Sequence, residues 1–238
     1  MGFYDFRVIN KRSDVGQKII ENTNDKIFSL LAPHFNDRTT LLEIAPGQAE
    51  FARRCIAKRL TYFAVEANES FCHELRRLGA SEVINAFVPP LPFPDNKFDI
   101  VYASHLLEHM PDSQRALQLT SEIRRVLTMG GLICLVVPDA LYDLTTFYDH
   151  DYTHSFITSE NRLWMLLSDA NFEIILTQIL AGPLTGFWGW LGSFSCKLYA
   201  HLVYPFLSNI LRLWIHPYKI GKLRTAFYRC ILVIAKKG

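Results

Sequence analysis

The chain has 238 residues, of which half are hydrophobic and 20% charged, with a formal net charge of +2 and a mean hydropathy of +0.10. This composition excludes a disordered, collagen-like or acidic-tail protein and supplies apolar material for one large domain, or one domain with an appendage. The charge is unevenly placed: residues 1–173 carry 17 basic and 23 acidic side chains, whereas 174–238 carry eight basic and none acidic, so an acidic body precedes a basic segment suited to a polyanionic surface.

In chain order, the first fourteen residues lack the apolar core of a signal peptide. Residues 14–32 show helical spacing through Ile19, Ile20, Ile27, Leu30 and Leu31, closed by Pro33. An apolar run at 39–45 predicts a strand buried on both faces. A helix over 49–60, a strand over 61–67, a helix over 68–79 ended by Gly79 and a strand over 81–86 follow. The unit repeats as a strand (98–104), a helix (112–128), a strand (130–138), a helix capped at Thr158 or Ser159, and a strand (171–180). A last strand is expected at 230–237. This alternation predicts an α/β fold with a mostly parallel sheet and helices on both faces, its ligand at the carboxyl ends of the strands. The five cysteines are an odd number, widely spread and without CxxC. They read as buried residues of a reducing compartment, not as a disulfide framework or a zinc site.

The most informative stretch is LLEIAPGQAEFA (41–52). A buried strand runs through Glu43 into a tight turn with Gly47 at its centre, and a helix opens behind it. Small residues at Ala45, Gly47 and Ala49 let backbone approach a ligand. The next strand ends in Glu66, 19 residues after Gly47, the spacing at which an acidic residue reaches a ribose in nucleotide-binding α/β folds. With LPFPDNKFDIVYASHLLEHM (91–110) and EIRRVLTMGGLICLVVP (122–138), this ordered set resembles the class I S-adenosylmethionine-dependent methyltransferases, of the type 11 kind. The resemblance covers about residues 38–180 and the final strand. It implies a Rossmann-like seven-stranded sheet of order 3-2-1-4-5-7-6, the last strand antiparallel.

The resemblance also implies roles. Glu43 would orient the methionine ammonium, Ala45 and Gly47 would pass backbone beside the cofactor, and Glu66 with Ala67 would meet the ribose. Ser104 and His105 would lie by the sulfonium. Two departures stand out. Ala45 and Ala49 replace glycines, and alanine at 45 calls for φ < 0. The residue that would hold the adenine amino group falls at Ala86 or Phe87, where a phenyl ring can pack but cannot accept a hydrogen bond.

On the acceptor side, DHDYTHSFIT (149–158) follows the fifth strand and is similar to a segment of methyltransferases associated with bacterial surface-polysaccharide genes. His154 is the candidate base or acceptor-orienting group, and Asp151 its supporter. His105 and His109 share a face if helical, with His109 bracing the helix after the fourth strand. No metal site is expected: HLLEHM is not HExxH, and nothing in the 149–154 cluster fixes a third ligand.

Residues 181–228 break the rhythm and hold three of the four tryptophans. They are expected to form an aromatic, basic helical insert kinked at Pro205, between a methyltransferase domain of residues 1–180 and its last strand at 229–238. No apolar run is long enough to span a bilayer. Trp, Tyr, Lys and Arg over 186–222 suit an anionic membrane surface, and a cap on the substrate pocket is the competing reading. The expected activity is methyl transfer from S-adenosylmethionine to a membrane-associated acceptor, first a hydroxyl of a lipid-linked saccharide, at the cytoplasmic membrane face. The alternatives are a quinone or lipid precursor as acceptor, or a degenerate, non-catalytic binding protein. A nucleic-acid partner and an NAD site are not expected.

Overall fold

The structure is a computed structural model that describes residues 14–142, 144, 147–148, 151–198, 202 and 228–238. The elements are α1 (Asp14–Leu31), β1 (Thr40–Ile44), α2 (Glu50–Ala57), β2 (Thr61–Glu66), α3 (Glu69–Leu78), β3 (Glu82–Asn85), β4 (Phe98–Ser104), α4 (Ser113–Val126), β5 (Leu127–Pro138), α5 (Glu160–Asp169), β6 (Phe172–Ala181), β7 (Leu184–Thr185), α6 (Gly186–Leu198) and β8 (Arg229–Lys237). Short 3-10 turns occupy Ala32–His34 and Leu107–His109.

Local chemistry sets these limits. Asn68 caps α3, its side chain accepting from the backbone N–H groups of Ser70 and Phe71, and Gly79 ends that helix at φ +97°. Asp112 caps α4 through Arg115 N–H. Of the two capping candidates for α5, Ser159 does the work, accepting from Arg162 N–H, whereas the Thr158 hydroxyl donates to the Pro138 carbonyl.

The strands form one eight-stranded sheet in the order β3-β2-β1-β4-β5-β8-β6-β7. The expected seven strands keep their order, with β8 as the last. The addition is β7, two residues that pair antiparallel with Leu180 and Ala181 at the end of β6. β1 pairs in parallel with β2 on one side and β4 on the other, with Glu43 beside Ala64 and Tyr102. The strand order therefore reverses at β1, which places the ligand crevice at its carboxyl end.

The pleat of β1 sorts its residues. Leu42 and Ile44 enter a hydrophobic core with Val65, Val101, Ala103, Ile133, Leu135 and Val233. Leu41 and Glu43 face the other way, on the side shared by Tyr62, Ala64 and Glu66 of β2 and by Tyr102 and Ser104 of β4. That is why a strand that reads as wholly apolar carries one buried carboxyl.

The chain divides into two compact units, one of residues 28–178 with 231–238, the other of 1–27 with 179–230. All the candidate site residues lie in the first. In the second, α6 presents exposed Phe187, Trp188, Trp190 and Phe194. The rings of Trp190 and Phe194 stack at 5.6 Å, and those of Phe187 and Trp190 at 6.2 Å. The rest of the predicted insert, Pro205 included, lies outside the described residues apart from 202 and 228. Among the described residues no helix is long and apolar enough to cross a membrane.

Candidate cofactor and acceptor site

The loop from β1 to α2 is built from three left-handed residues in alternation: Ala45 at φ +55°, Gly47 at +56° and Ala49 at +63°. This corrects the expectation that alanine at 45 requires a negative φ. The left-handed state costs an L-residue about 1–2 kcal/mol, and the loop holds it at two alanines. The backbone bonds of Ala45 N–H to Val65 O and of Ala49 N–H to Pro46 O offset part of that cost. The space around Gly47 is open among the described residues: a Cβ built there would meet none of their atoms within 4 Å. A side chain would project into room that the loop leaves clear.

Two carboxylates flank this loop. Glu66, buried at the end of β2, accepts from Gly47 N–H at 3.1 Å with one oxygen and from Asn68 N–H at 2.8 Å with the other. A carboxylate has about four lone-pair positions, so two remain for a vicinal diol. Glu43 is also buried, and its Oε2 accepts from the Tyr62 hydroxyl at 2.6 Å. Burial pushes the Glu43 carboxyl up to about 8 against the opposing pull of the Tyr62 bond, and the nearby charges of Glu50 and Glu66 add to the rise. The Tyr62 hydroxyl is itself driven well above its ordinary range by burial and by Glu43. A carboxyl raised by burial and by neighbouring negative charge is suited to a cationic ligand group.

The remaining cofactor candidates lie around these two. Ala67 is exposed after β2, and its carbonyl accepts from Asn85 Nδ2 at 2.9 Å. Ala86 is half-buried with its N–H on the Glu66 carbonyl, and Phe87 beside it is 86% exposed, its ring face available. Ser104 is half-buried at the end of β4. His105 is exposed and left-handed at φ +53°, its N–H on the Val136 carbonyl.

Beyond β4 the predicted helical face of His105 and His109 is replaced by the 3-10 turn Leu107–His109. The left-handed backbone at His105 breaks the helical path, and the two histidines reach different partners. His105 Nδ1 lies 3.1 Å from Glu108 Oε1, and His109 Nδ1 lies 2.8 Å from the Thr153 hydroxyl. The Thr153 hydroxyl donates to Asp151 Oδ1 at 2.7 Å. Burial lowers the His109 pKa, which favours its neutral form.

His154 is half-buried, and its Nδ1 lies 2.6 Å from the Phe147 carbonyl. A carbonyl only accepts, so Nδ1 carries the proton and the lone pair is on Nε2. The expected support from Asp151 takes another form. The Phe147 carbonyl orients the His154 ring, and Asp151 meets His154 through backbone, His154 N–H on Asp151 O at 3.2 Å. The Asp151 carboxylate acts instead on Thr153, accepting from its N–H and hydroxyl. Its predicted neighbours Asp149 and His150 lie outside the described residues.

Glu108 has no accessible surface, and its backbone carbonyl accepts from Ser155 and Phe156, tying the turn after β4 to the segment after β5. Its Oε2 is buried without a hydrogen-bond partner among the described residues. Leaving a buried acceptor unsatisfied costs about 1–3 kcal/mol, and more when it is charged.

Sequence reasoning missed Tyr62, Asn68 as a partner of the Glu66 carboxylate, Thr153, and the burial of Glu108. Tyr62 was within reach, since the two-residue period of β2 places it on the face of Glu66. The Phe147 carbonyl left no sequence signal.

Residues 42–135 match a family model described as a methyltransferase domain. A 2-methyl-6-phytyl-1,4-hydroquinone methyltransferase of Oryza sativa is 30% identical over 103 residues, covering 43% of this chain and 24% of that protein. A Mycobacterium tuberculosis protein named as an S-adenosylmethionine-dependent methyltransferase is 28% identical over 166 residues, covering 66% of this chain and 57% of that one. The chain thus spans about a quarter of the first relative and somewhat over half of the second. Among solved structures, an S-adenosylmethionine-dependent methyltransferase from Archaeoglobus fulgidus superposes with a TM-score of 0.60 at 22% identity, covering 90% of this chain and 94% of that one. At that identity the likeness speaks for the fold. The family match begins within β1 and ends within β5, so it contains both the left-handed loop and its two carboxylates. Residues 42–135 are thus similar to a methyltransferase domain, and the relatives and solved structures the chain resembles include S-adenosylmethionine-dependent methyltransferases.

Proposed function

We propose that the protein transfers a methyl group from S-adenosylmethionine to a hydroxyl of a lipid-linked saccharide at the cytoplasmic membrane face. The observation that carries the transfer reading is the pair of buried carboxyls, Glu43 and Glu66, on either side of the open loop at Gly47. Bound S-adenosylmethionine supplies a methyl group already activated on sulfonium. The chain's own part is to hold and orient. Glu43 would hold the ammonium and Glu66 the ribose hydroxyls, Ala45 and Gly47 pass backbone beside the cofactor, and Ala67, Ala86 and Phe87 border the base. Ser104 and His105 stand at the carboxyl end of β4, toward the reacting end.

His154 is the proposed acceptor-side group. Its Nδ1–H is committed to the Phe147 carbonyl, which leaves Nε2 to take a hydroxyl proton. Asp151 contributes by fixing Thr153 and, through it, His109. The exposed aromatic face of α6, followed by a basic and acid-free stretch, supports an acceptor at a lipid surface. A second reading, a quinone precursor as acceptor, is favoured by the similarity to the rice hydroquinone methyltransferase.

The test is incubation with methyl-labelled S-adenosylmethionine and organic extracts of membranes, followed by separation of lipid classes. Label in the lipid-linked saccharide fraction supports the proposal. Label in the quinone fraction establishes the second reading. S-adenosylhomocysteine binding with no label in any fraction would favour a non-catalytic binding protein.

A further inference from the structure

We propose that Glu108, His109 and His154 form a binding site for a divalent transition-metal ion of the zinc class. Each offers one ligand atom, and the three atoms lie within 4.8 Å of one another. The cluster joins two parts of the chain, the turn after β4 and the segment after β5, which the Glu108 carbonyl already ties together.

Three features distinguish it from a chance meeting of polar groups. First, the Glu108 carboxylate is completely buried and its Oε2 has no hydrogen-bond partner among the described residues, so an unsatisfied acceptor stands where a cation would complete it. Second, the His154 ring is fixed by Nδ1–H on the Phe147 carbonyl, which directs the Nε2 lone pair to a ligand. Third, the Thr153 hydroxyl gives its proton to Asp151 and therefore accepts from His109 Nδ1–H. That also places the His109 lone pair on Nε2. A backbone carbonyl behind one imidazole and a carboxylate-backed hydroxyl behind the other are the supports that metal-binding histidines carry.

The donor set selects the ion. Two imidazoles and one carboxylate suit zinc or its first-row neighbours, whereas magnesium and calcium take oxygen ligands. Ligand atoms around a tetrahedral zinc ion lie about 3.4 Å apart, so the widest separation closes by up to about 1.4 Å on binding. Three protein ligands leave a fourth position for water or an acceptor oxygen. Coordination and general-base action both use His154 Nε2, so in the loaded protein the ion and not the imidazole would act on the acceptor. The metal site stands on the side-chain cluster alone, whatever the acceptor is.

The experiment is calorimetric titration of the chelator-treated full chain with Zn2+, with Co2+ followed in parallel by visible absorption. One ion per chain is expected, with the intense visible bands of four-coordinate cobalt. Glu108→Gln and His154→Gln should each weaken binding by at least about tenfold in samples whose circular dichroism matches the parent. No saturable binding, or saturable binding that neither substitution alters, overturns the proposal. Should Glu108→Gln fail to fold, the unsubstituted protein decides. Protection of His109 and His154 from diethyl pyrocarbonate by Zn2+ supports the site, and unchanged modification of both overturns it.

Discussion

Glu43 links stability, ligand binding and pH through one carboxyl. Its folded value of about 8 lies above the ordinary 4.5. Between these two, the unfolded chain gives up a proton that the folded chain keeps, so stability falls as pH rises, by up to about 1.4 kcal/mol per unit. The contribution is fully present below about pH 4.5 and lost by about pH 8. Glu43→Gln keeps an acceptor for Tyr62 and removes this slope. Denaturant unfolding from pH 5 to 8 should therefore show the parent losing stability relative to the variant. Because a cationic ligand group favours the ionised carboxyl, affinity for S-adenosylhomocysteine should rise over the same range in the parent and stay flat in Glu43→Gln. Ala45 makes a second residue-scale case. A left-handed alanine costs about 1–2 kcal/mol, and glycine loses about 0.5–1 kcal/mol to chain entropy. Ala45→Gly should thus raise stability by up to about 1 kcal/mol, read from urea midpoints. The strand carrying Glu43, the turn at Gly47 and the strand end at Glu66 were legible because residue types and spacing are local sequence properties. The sign of φ at Ala45 was not, since alanine disfavours the conformation that the loop imposes.

At the scale of the element, the edge of α3 supports the site. Asn68 caps the helix with its side chain while its backbone N–H holds Glu66 Oε1. Asn68→Ala should cost about 1 kcal/mol in stability and weaken S-adenosylhomocysteine binding through a looser Glu66. Calorimetry on both proteins checks this, and unchanged affinity at reduced stability would separate the cap from the carboxylate. The strands and helices of the domain were readable because buried parallel strands and amphipathic helices differ in period. The turn after β4 was not. HLLEHM offers helical spacing, but His105 at φ +53° and the Glu108 carbonyl's bonds to Ser155 and Phe156 bend it into a 3-10 turn. Those bonds come from 47 and 48 residues downstream, a distance that local pattern does not carry. For the same reason the meeting of Glu108, His109 and His154 was not visible before the fold was.

Over the whole molecule, an acidic body bearing the proposed cofactor loop is followed in sequence by a basic, aromatic stretch. If that stretch meets a lipid surface, the exposed rings of α6 should contribute. Replacing Phe187, Trp188 and Trp190 together by serine should release the protein from anionic vesicles, with high salt having a similar effect. Co-sedimentation unchanged by both would exclude α6 and the basic stretch as the lipid contact. The sheet order was legible from strand–helix alternation and family resemblance, whereas β7 was not, being only two residues long. The claim on which the rest stands is the cofactor site between Glu43 and Glu66. Its most direct test is calorimetric titration of the full chain and of Glu66→Ala with S-adenosylhomocysteine. Saturable binding at one site per chain, weakened at least about tenfold by losing the two hydroxyl contacts, is the predicted result. A folded parent that does not bind, or a variant that binds equally well, would contradict it.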